Sequence, residues 1–234
     1  MVRVMKSALM ASLLKTERFD SRPPGVDFTY RFAQPKEYHF CLDSIIFAYF
    51  ISTQLPSITE KAQSFSALDV CSGCGVVGLE LGFYRPWVWH FDFLEIQPIF
   101  KPFFEENLLI TKNNHKNYQF LQSDFRSLLQ PNFADRYDLI VSNPPYFRAN
   151  EGPVPSNPVR HRARFFEDAS AADLISSINH ALKPGGRAFL LMRPGERHGR
   201  DDAREIDSLL QFKSTWRIPA EIRGTPVLEI QKLL

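Results

Sequence analysis

The sequence lacks the features that define several large protein classes. No apolar run approaches the roughly 18 residues of a membrane-spanning helix, so no membrane association is expected. Three cysteines are too few, and odd in number, for a disulfide framework, which is consistent with a reducing cytoplasm. There is no internal repeat or low-complexity segment. These absences favour a cytoplasmic globular protein, with a monomer as the default oligomeric state.

Metal and redox chemistry have little support in the sequence. Cys71 and Cys74 form a Cys-x-x-Cys pair, which can be a redox centre or half of a zinc site. No second pair exists, and His39 and Cys41 are the nearest other soft ligands. The pair also lies inside a glycine turn that has another explanation, so no metal is predicted.

The charge is small overall but unevenly distributed. A net charge of +2 does not by itself indicate a nucleic-acid-binding protein. Residues 1–36 hold seven Lys or Arg against three Asp or Glu, and residues 148–164 hold four arginines against Glu151. The arginines are Arg148, Arg160, Arg162 and Arg164. Two basic patches on a near-neutral protein favour a polyanionic partner, with these arginines as phosphate contacts. The alternative is that both patches are solvated.

Strands and helices alternate from residue 67 onward, which predicts an α/β sheet with parallel strands. Residues 1–66 are predicted to be an N-terminal arm with an amphipathic helix, Leu42–Gln54, over a cleft, and residues 67–234 the main domain. Residues 147–168 are too polar and proline-rich for the core and are predicted to be irregular. The predicted strands are Ala67–Cys71, Trp89–Leu94, Tyr118–Gln122, Leu139–Ser142, Arg187–Met192, Ser214–Ile218 and Val227–Leu233.

A glycine-rich turn follows the first predicted strand. Gly73 and Gly75 allow a tight turn with close ligand approach, and Gly78 allows close helix–strand packing. The pattern alone is weak evidence, because nicotinamide, flavin and S-adenosylmethionine sites share it. Asp69 favours S-adenosylmethionine, since the methionine ammonium of that cofactor needs a nearby carboxylate and a dinucleotide does not.

Two further acids follow the second and third predicted strands. Glu95 lies at the carboxyl end of the second strand, where a carboxylate can accept both ribose hydroxyl hydrogens, or else it begins the next helix. Asp124 follows the third strand and can accept from an adenine amine or cap a helix, and the two roles stay open.

The tetrapeptide Asn143-Pro144-Pro145-Tyr146 is the most informative motif. It follows an apolar strand, and its prolines force a stiff turn with outward carbonyl groups. The Asn143 side-chain oxygen and the Pro144 carbonyl can each accept one hydrogen of an NH2 group, while Tyr146 stacks on the plane that carries it. A polyproline ligand is the alternative, but such ligands lie in polar, disordered stretches.

Taken together, Asp69, the glycine turn, Glu95, Asp124 and the tetrapeptide resemble the motif order of S-adenosylmethionine-dependent amino-methyltransferases. Three segments narrow the resemblance to the bacterial tRNA(Val) adenine-N6 methyltransferases: residues 34–44, Phe147-Arg148 and residues 183–187. The resemblance implies a class I, Rossmann-like fold, with a seven-stranded, mostly parallel sheet, an antiparallel last strand and helices on both faces. The fourth strand would lie beside the first.

The resemblance also implies an activity: methyl transfer from S-adenosylmethionine to the N6 amine of an adenine in RNA, with tRNA favoured. Asp43 and Ser44 would close over the methionine end of the cofactor, or cap the helix that they begin. The first rival is a protein glutamine N-methyltransferase, which uses the same tetrapeptide to hold an amide NH2. The others are a DNA adenine methyltransferase, a nicotinamide-dependent oxidoreductase and a non-catalytic RNA-binding relative.

Overall fold

A computed structural model describes residues 31–56, 65–88, 90–112, 117–145, 147–148, 157–163, 165–166, 169–192, 202–211 and 213–234. Within these residues, seven strands form one sheet in the order β3-β2-β1-β4-β7-β9-β8, and β5 and β6 form a separate pair. The strands are β1 Ser66–Val70, β2 His90–Glu95, β3 Asn117–Gln122, β4 Tyr137–Ser142, β5 Phe147–Arg148, β6 Phe165–Phe166, β7 Leu182–Leu191, β8 Ser214–Ile222 and β9 Thr225–Lys232.

Six α-helices and three short 3-10 helices connect these strands in the described part of the chain. The α-helices are α1 Leu42–Gln54, α2 Val76–Tyr84, α3 Lys101–Ile110, α4 Pro158–Arg162, α5 Ala171–Ala181 and α6 Asp202–Leu210. The 3-10 helices are Pro98–Phe100, Phe125–Leu129 and Pro131–Phe133. None of the described helices combines the length and apolarity needed to cross a membrane.

The predicted sheet is confirmed. Strand β1 pairs in parallel with both β2 and β4, so Val70 lies beside Ser142 at the carboxyl ends of β1 and β4. Strand β9 runs antiparallel to β7 and β8 on either side of it. In such sheets, ligands bind outside the carboxyl ends of the strands where the strand order reverses, which places the candidate site next to β1 and β4.

Helix α1 is more deeply buried than the prediction of an amphipathic helix implies. Its residues from Ser44 to Ser52 are all buried, and it packs chiefly against α2. Its apolar side chains belong to the same hydrophobic core as those of β1, β2 and β4. A helix that is apolar on nearly every side is stable only inside a core, so α1 is a fixed element of this fold.

The segment predicted to be irregular contains regular structure where it is described. Strands β5 and β6 pair in parallel, joining Phe147 to Phe165 and Arg148 to Phe166. The short helix α4 lies between them in the chain, and Asn157 caps it by accepting a hydrogen bond from the backbone N–H of Arg160. The sequence pattern missed these elements because each is too short to show a period.

Candidate active site

The turn after β1 depends on its glycines. Gly73 and Gly75 have φ angles of +54° and +83°, and Gly75 donates from its backbone N–H to the Ser72 carbonyl at 2.8 Å. A β-carbon on Gly75 would lie 2.7 Å from the Phe104 ring, and one on Gly78 would lie 2.5 Å from the Phe93 ring. Side chains are therefore excluded at both positions, as the predicted close packing of α2 on the sheet requires.

Asp69 is buried at the carboxyl end of β1 and faces the first turn of α2. Its Oδ2 accepts a hydrogen bond from the Gly78 backbone N–H at 3.0 Å. Its Oδ1 is buried without a hydrogen-bond partner among the described residues. A dinucleotide site uses free N–H groups at this helix start to bind a pyrophosphate. Here the Asp69 carboxyl occupies one of them, so this N–H is not open to a pyrophosphate.

The buried carboxyl of Asp69 holds its proton unusually tightly. Burial raises its pKa to about 8, opposed by the Gly78 hydrogen bond and reinforced by the neighbouring Glu95 carboxylate. Asp69 is therefore a buried carboxyl whose Oδ1 has no hydrogen-bond partner among the described residues.

Asp69→Asn is expected to flatten the loss of thermal stability as the pH rises from about 4 to about 8. The Asp69 carboxyl loses its proton near pH 8 in the folded chain and near pH 4 in the unfolded chain. The folded chain thus binds more protons in this window, so rising pH favours unfolding, and stability is lowest above the folded pKa. Melting temperatures across the window test this, with Glu105→Gln on exposed α3 as control. Parallel curves for wild type and Asp69→Asn would contradict it.

Glu95 links the glycine turn to the end of β2. Its Oε2 accepts from the Gly73 backbone N–H at 3.0 Å, and its Oε1 accepts from the Gln97 backbone N–H at 2.8 Å. Burial raises the pKa of this carboxyl, while the hydrogen bonds from Gln97 and Gly73 oppose the rise. Each oxygen retains a further lone pair for a ligand. Glu95 thus stabilises the glycine turn and also lines the cleft described next.

An open cleft lies at the carboxyl ends of the strands. It encloses about 760 Å³, a volume that includes space open to solvent. The predicted residues that line it are Gly73, Glu95, Asp124, Asn143, Pro145 and Arg162. Tyr38, Gln97 and Phe100 also line it and were not predicted. Asp69, Gly75, Asp43, Pro144 and Arg160 are not among its lining residues.

Asp124 performs the capping role that the sequence left open, and also faces the cleft. It caps the 3-10 helix Phe125–Leu129 by accepting from the Arg126 backbone N–H at 2.8 Å. The Arg126 guanidinium pairs with both carboxylate oxygens, at 3.0 and 2.7 Å. This side-chain hydrogen bonding is the main reason that the pKa of Asp124 is lowered. Asp124 therefore carries its negative charge in the cleft wall.

Asn143 follows β4 directly and lies in the wall of the same cleft. Its Nδ2 donates a hydrogen bond to the Ser44 Oγ at 3.1 Å. Pro144 is buried and Pro145 is partly buried, so the start of the turn is held in the protein. Tyr146 lies outside the described residues, as does Arg164. The structure thus brings Asn143, Pro145, Glu95 and Gly73 together, as the motifs predict.

Asp43 has a partner that the sequence did not predict. Its Oδ1 lies 2.6 Å from the Arg223 Nη1 in the turn between β8 and β9. The capping alternative for Asp43 is wrong, since Cys41 is the N-cap of α1, and its contact with the cofactor stays a prediction. No local signal could have found a pair whose members are 180 residues apart.

The predicted basic segment divides between the cleft and the surface. Arg162 lines the cleft, whereas Arg160 is exposed and donates from its Nε to the Glu37 carbonyl at 3.2 Å. Arg148 is described only as part of β5. Helix α4 therefore places one arginine in the cleft and another at the surface.

Comparison with known proteins gives partial relatives of two kinds. Over 125 residues the chain is 31% identical to the tRNA1(Val) (adenine(37)-N6)-methyltransferase of Aeromonas hydrophila, covering 53% of this chain and 50% of that protein. Over 123 residues it is 34% identical to the release factor glutamine methyltransferase of Pasteurella multocida, covering 48% and 37%. The match thus spans half or less of each relative. No family model matches the sequence.

Comparison with solved structures identifies the fold. The precorrin-6y C5,15-methyltransferase of Geobacter metallireducens matches with a TM-score of 0.52 at 13% identity, covering 87% of this chain and 95% of that one. The chain has the class I methyltransferase fold. The strand order of the sheet agrees with this fold, since the antiparallel strand β9 lies between β7 and β8.

S-adenosylmethionine is the expected cofactor of this methyltransferase fold, and the residues of the cleft fit it. Burial raises the pKa of the Cys71 thiol, and the charges of the nearby Glu95, Asp69 and Asp124 raise it further. Acids grouped in this way suit a ligand that carries sulfonium and ammonium charges and disfavour a pyrophosphate. The Gly73 turn, where a β-carbon would meet only Phe100 at 3.9 Å, leaves room for it, and the buried Asp69 Oδ1 behind the turn has no partner among the described residues.

Proposed function

We propose that the protein is an S-adenosylmethionine-dependent N-methyltransferase whose acceptor is the N6 amine of an adenine in RNA, with tRNA favoured. The observation that carries the proposal is that Asn143 lines the same cleft as Gly73 and Glu95. An amide side chain with acceptor capacity thus faces the space where a cofactor fits. This arrangement suits an acceptor that presents an NH2 group.

Asn143 and Pro144 would act by positioning the acceptor. The nitrogen lone pair of an adenine amine is delocalised into the ring, which makes the amine a poor nucleophile. Hydrogen bonds from the amine to the Asn143 Oδ1 and the Pro144 carbonyl would hold the nitrogen closer to tetrahedral and aim its lone pair. The proton of the amine becomes acidic only as the nitrogen gains positive charge during methyl transfer, so no strong base is needed. Bound S-adenosylmethionine supplies an electrophilic methyl group.

The predicted acids in and behind the cleft wall would hold the cofactor. Glu95 would accept hydrogen bonds from the ribose hydroxyls, and Asp69 would offset the ammonium charge across the glycine turn. Asp124 would accept from the adenine amine of the cofactor with lone pairs not used by Arg126. Tyr146 would stack on the acceptor base.

RNA is favoured over protein by the arginines of helix α4. Arg162 lines the same cleft as Asn143, and Arg160 of the same helix is exposed. Cations beside a cleft can contact the phosphates next to a base that enters it. A protein glutamine N-methyltransferase is the second candidate, because the relatives of the chain divide between the two acceptors.

Methyl transfer from labelled S-adenosylmethionine tests the function. Bulk unmodified tRNA and total protein are offered in parallel, with Asn143→Ala as control. Label recovered from RNA as N6-methyladenosine would support the proposal. Label in protein alone would support the glutamine methyltransferase instead, and no label in either, with cofactor bound, would contradict both.

Charge reversal at Arg160 is expected to weaken the binding of tRNA to the same extent whatever the RNA sequence. Arg160→Glu should lower the affinity and reduce the slope of log K against log salt by about one, because one phosphate contact is lost. Filter binding at several salt concentrations measures both. Lys213→Glu, an exposed substitution before β8, is the matched control. An unchanged slope for Arg160→Glu would remove Arg160 from the RNA-binding surface.

A further inference from the structure

Ser44 is the contact between helix α1 and the proposed catalytic amide. Its Oγ accepts a hydrogen bond from the Asn143 Nδ2 at 3.1 Å, although the two residues are 99 positions apart in the chain. Ser44 is only 5% exposed and belongs to the first turn of α1, where its backbone N–H donates to the Cys41 carbonyl at 3.2 Å. The hydroxyl is therefore held in place by a buried helix.

In this hydrogen bond the NH2 end of the Asn143 amide faces Ser44. A carboxamide can turn over about its last torsion, which exchanges its oxygen acceptor for its NH2 donor. The amine of the acceptor must face the Asn143 oxygen, because two NH2 groups that face each other are both donors and form no hydrogen bond. Since the Asn143 NH2 donates to Ser44, the oxygen is directed away from α1.

The first turn of α1 is itself fixed from two sides. Asp43 pairs with Arg223 at 2.6 Å, and Ile45 and Ile46 are buried in the core. Arg223 and Gly224 have φ angles of +48° and +78° and form the tight turn of the β8–β9 hairpin. The hairpin thus holds the helix turn that carries Ser44.

We propose that Ser44 is a positioning residue, which sets the orientation of the Asn143 amide so that its oxygen meets the acceptor amine. The inference rests on the proposed function. Ser44 touches neither acceptor nor cofactor in this role and acts through Asn143. The Asp43–Arg223 pair supports it by fixing the helix turn.

Ser44→Ala tests the proposal against a matched control, Ser52→Ala. Both serines are buried in α1, but the Ser52 hydroxyl donates to the Tyr49 carbonyl of its own helix at 2.6 Å. Ser44→Ala is expected to lower kcat by about 10- to 100-fold, because a misaligned amide loses near-attack geometry. The Kd for S-adenosylmethionine should stay within about twofold. Ser52→Ala should keep wild-type kcat, and Ser44→Thr, which retains a hydroxyl, should recover most of it.

A double-mutant cycle with Asn143→Ala separates positioning from a general structural effect. If Ser44 acts through Asn143, Ser44→Ala should cause no further loss in single-turnover rate once Asn143 is alanine. An equal loss in both backgrounds would overturn the inference, and so would wild-type kcat for Ser44→Ala. If Asn143→Ala itself kept full activity, the proposed function would fail instead. Melting temperatures of all variants exclude unfolding as the cause.

Discussion

Asn143→Ala should lower the rate of methyl transfer by about 100- to 1,000-fold while S-adenosylmethionine still binds. The variant loses the acceptor that the Asn143 Oδ1 would offer to the amine, and the prediction follows from the place of this residue in the cleft wall. The cofactor contacts proposed for Glu95 and Gly73 are untouched. Single-turnover transfer of labelled methyl measures the rate, and calorimetry measures cofactor binding.

Asn117→Ala is the matched control for this substitution. Asn117 is exposed on the edge strand β3, where its Nδ2 lies 3.0 Å from His90 Nδ1. The same chemical change there should leave transfer at the wild-type rate. Full activity of Asn143→Ala with cofactor bound would rule out the proposed role of the tetrapeptide.

Glu95→Gln should weaken the binding of S-adenosylmethionine by about 10- to 100-fold, the usual loss when a hydrogen bond to a charged group is removed. Both Glu95 oxygens accept backbone N–H groups, from Gly73 and from Gln97. A glutamine presents an NH2 to one of these donors, so the substitution disturbs the glycine turn and also removes a ribose acceptor. Titration calorimetry measures the Kd.

Glu105→Gln, an isosteric change on the exposed face of α3, provides the comparison for Glu95→Gln. It should bind S-adenosylmethionine as tightly as the wild type does. A wild-type Kd for Glu95→Gln would mean that neither the turn nor the ribose depends on this carboxylate.

The sheet and much of the cleft could be predicted because their signals are local in sequence. Gly73 and Gly75 follow a strand at once, and Glu95 ends the next one. The adjacency of β1 and β4 came from the resemblance, and it is the adjacency that brings Asn143 to the cleft. A short motif at a strand end therefore carried most of the information about the site.

The contacts that the sequence missed are long-range or depend on burial. Nothing near Asp43 indicates Arg223, and nothing near Asn143 indicates Ser44 as its partner, since these pairs meet only after folding. Asp124 had two local roles of equal merit, and only the position of Arg126 shows that it caps. The full burial of α1 likewise depends on the packing of α2 against it.

The strand order has a consequence for the newly made chain. Strand β9 is the last strand in sequence but lies inside the sheet, between β7 and β8. Until residues up to Lys232 are available, β7 has an unpaired edge, and unpaired edges invite association with other chains. The Arg223–Asp43 pair also forms only when the hairpin closes. During synthesis, β7 therefore gains its β9 partner late, and a chain cut short before β9 would be prone to aggregation through the unpaired β7 edge.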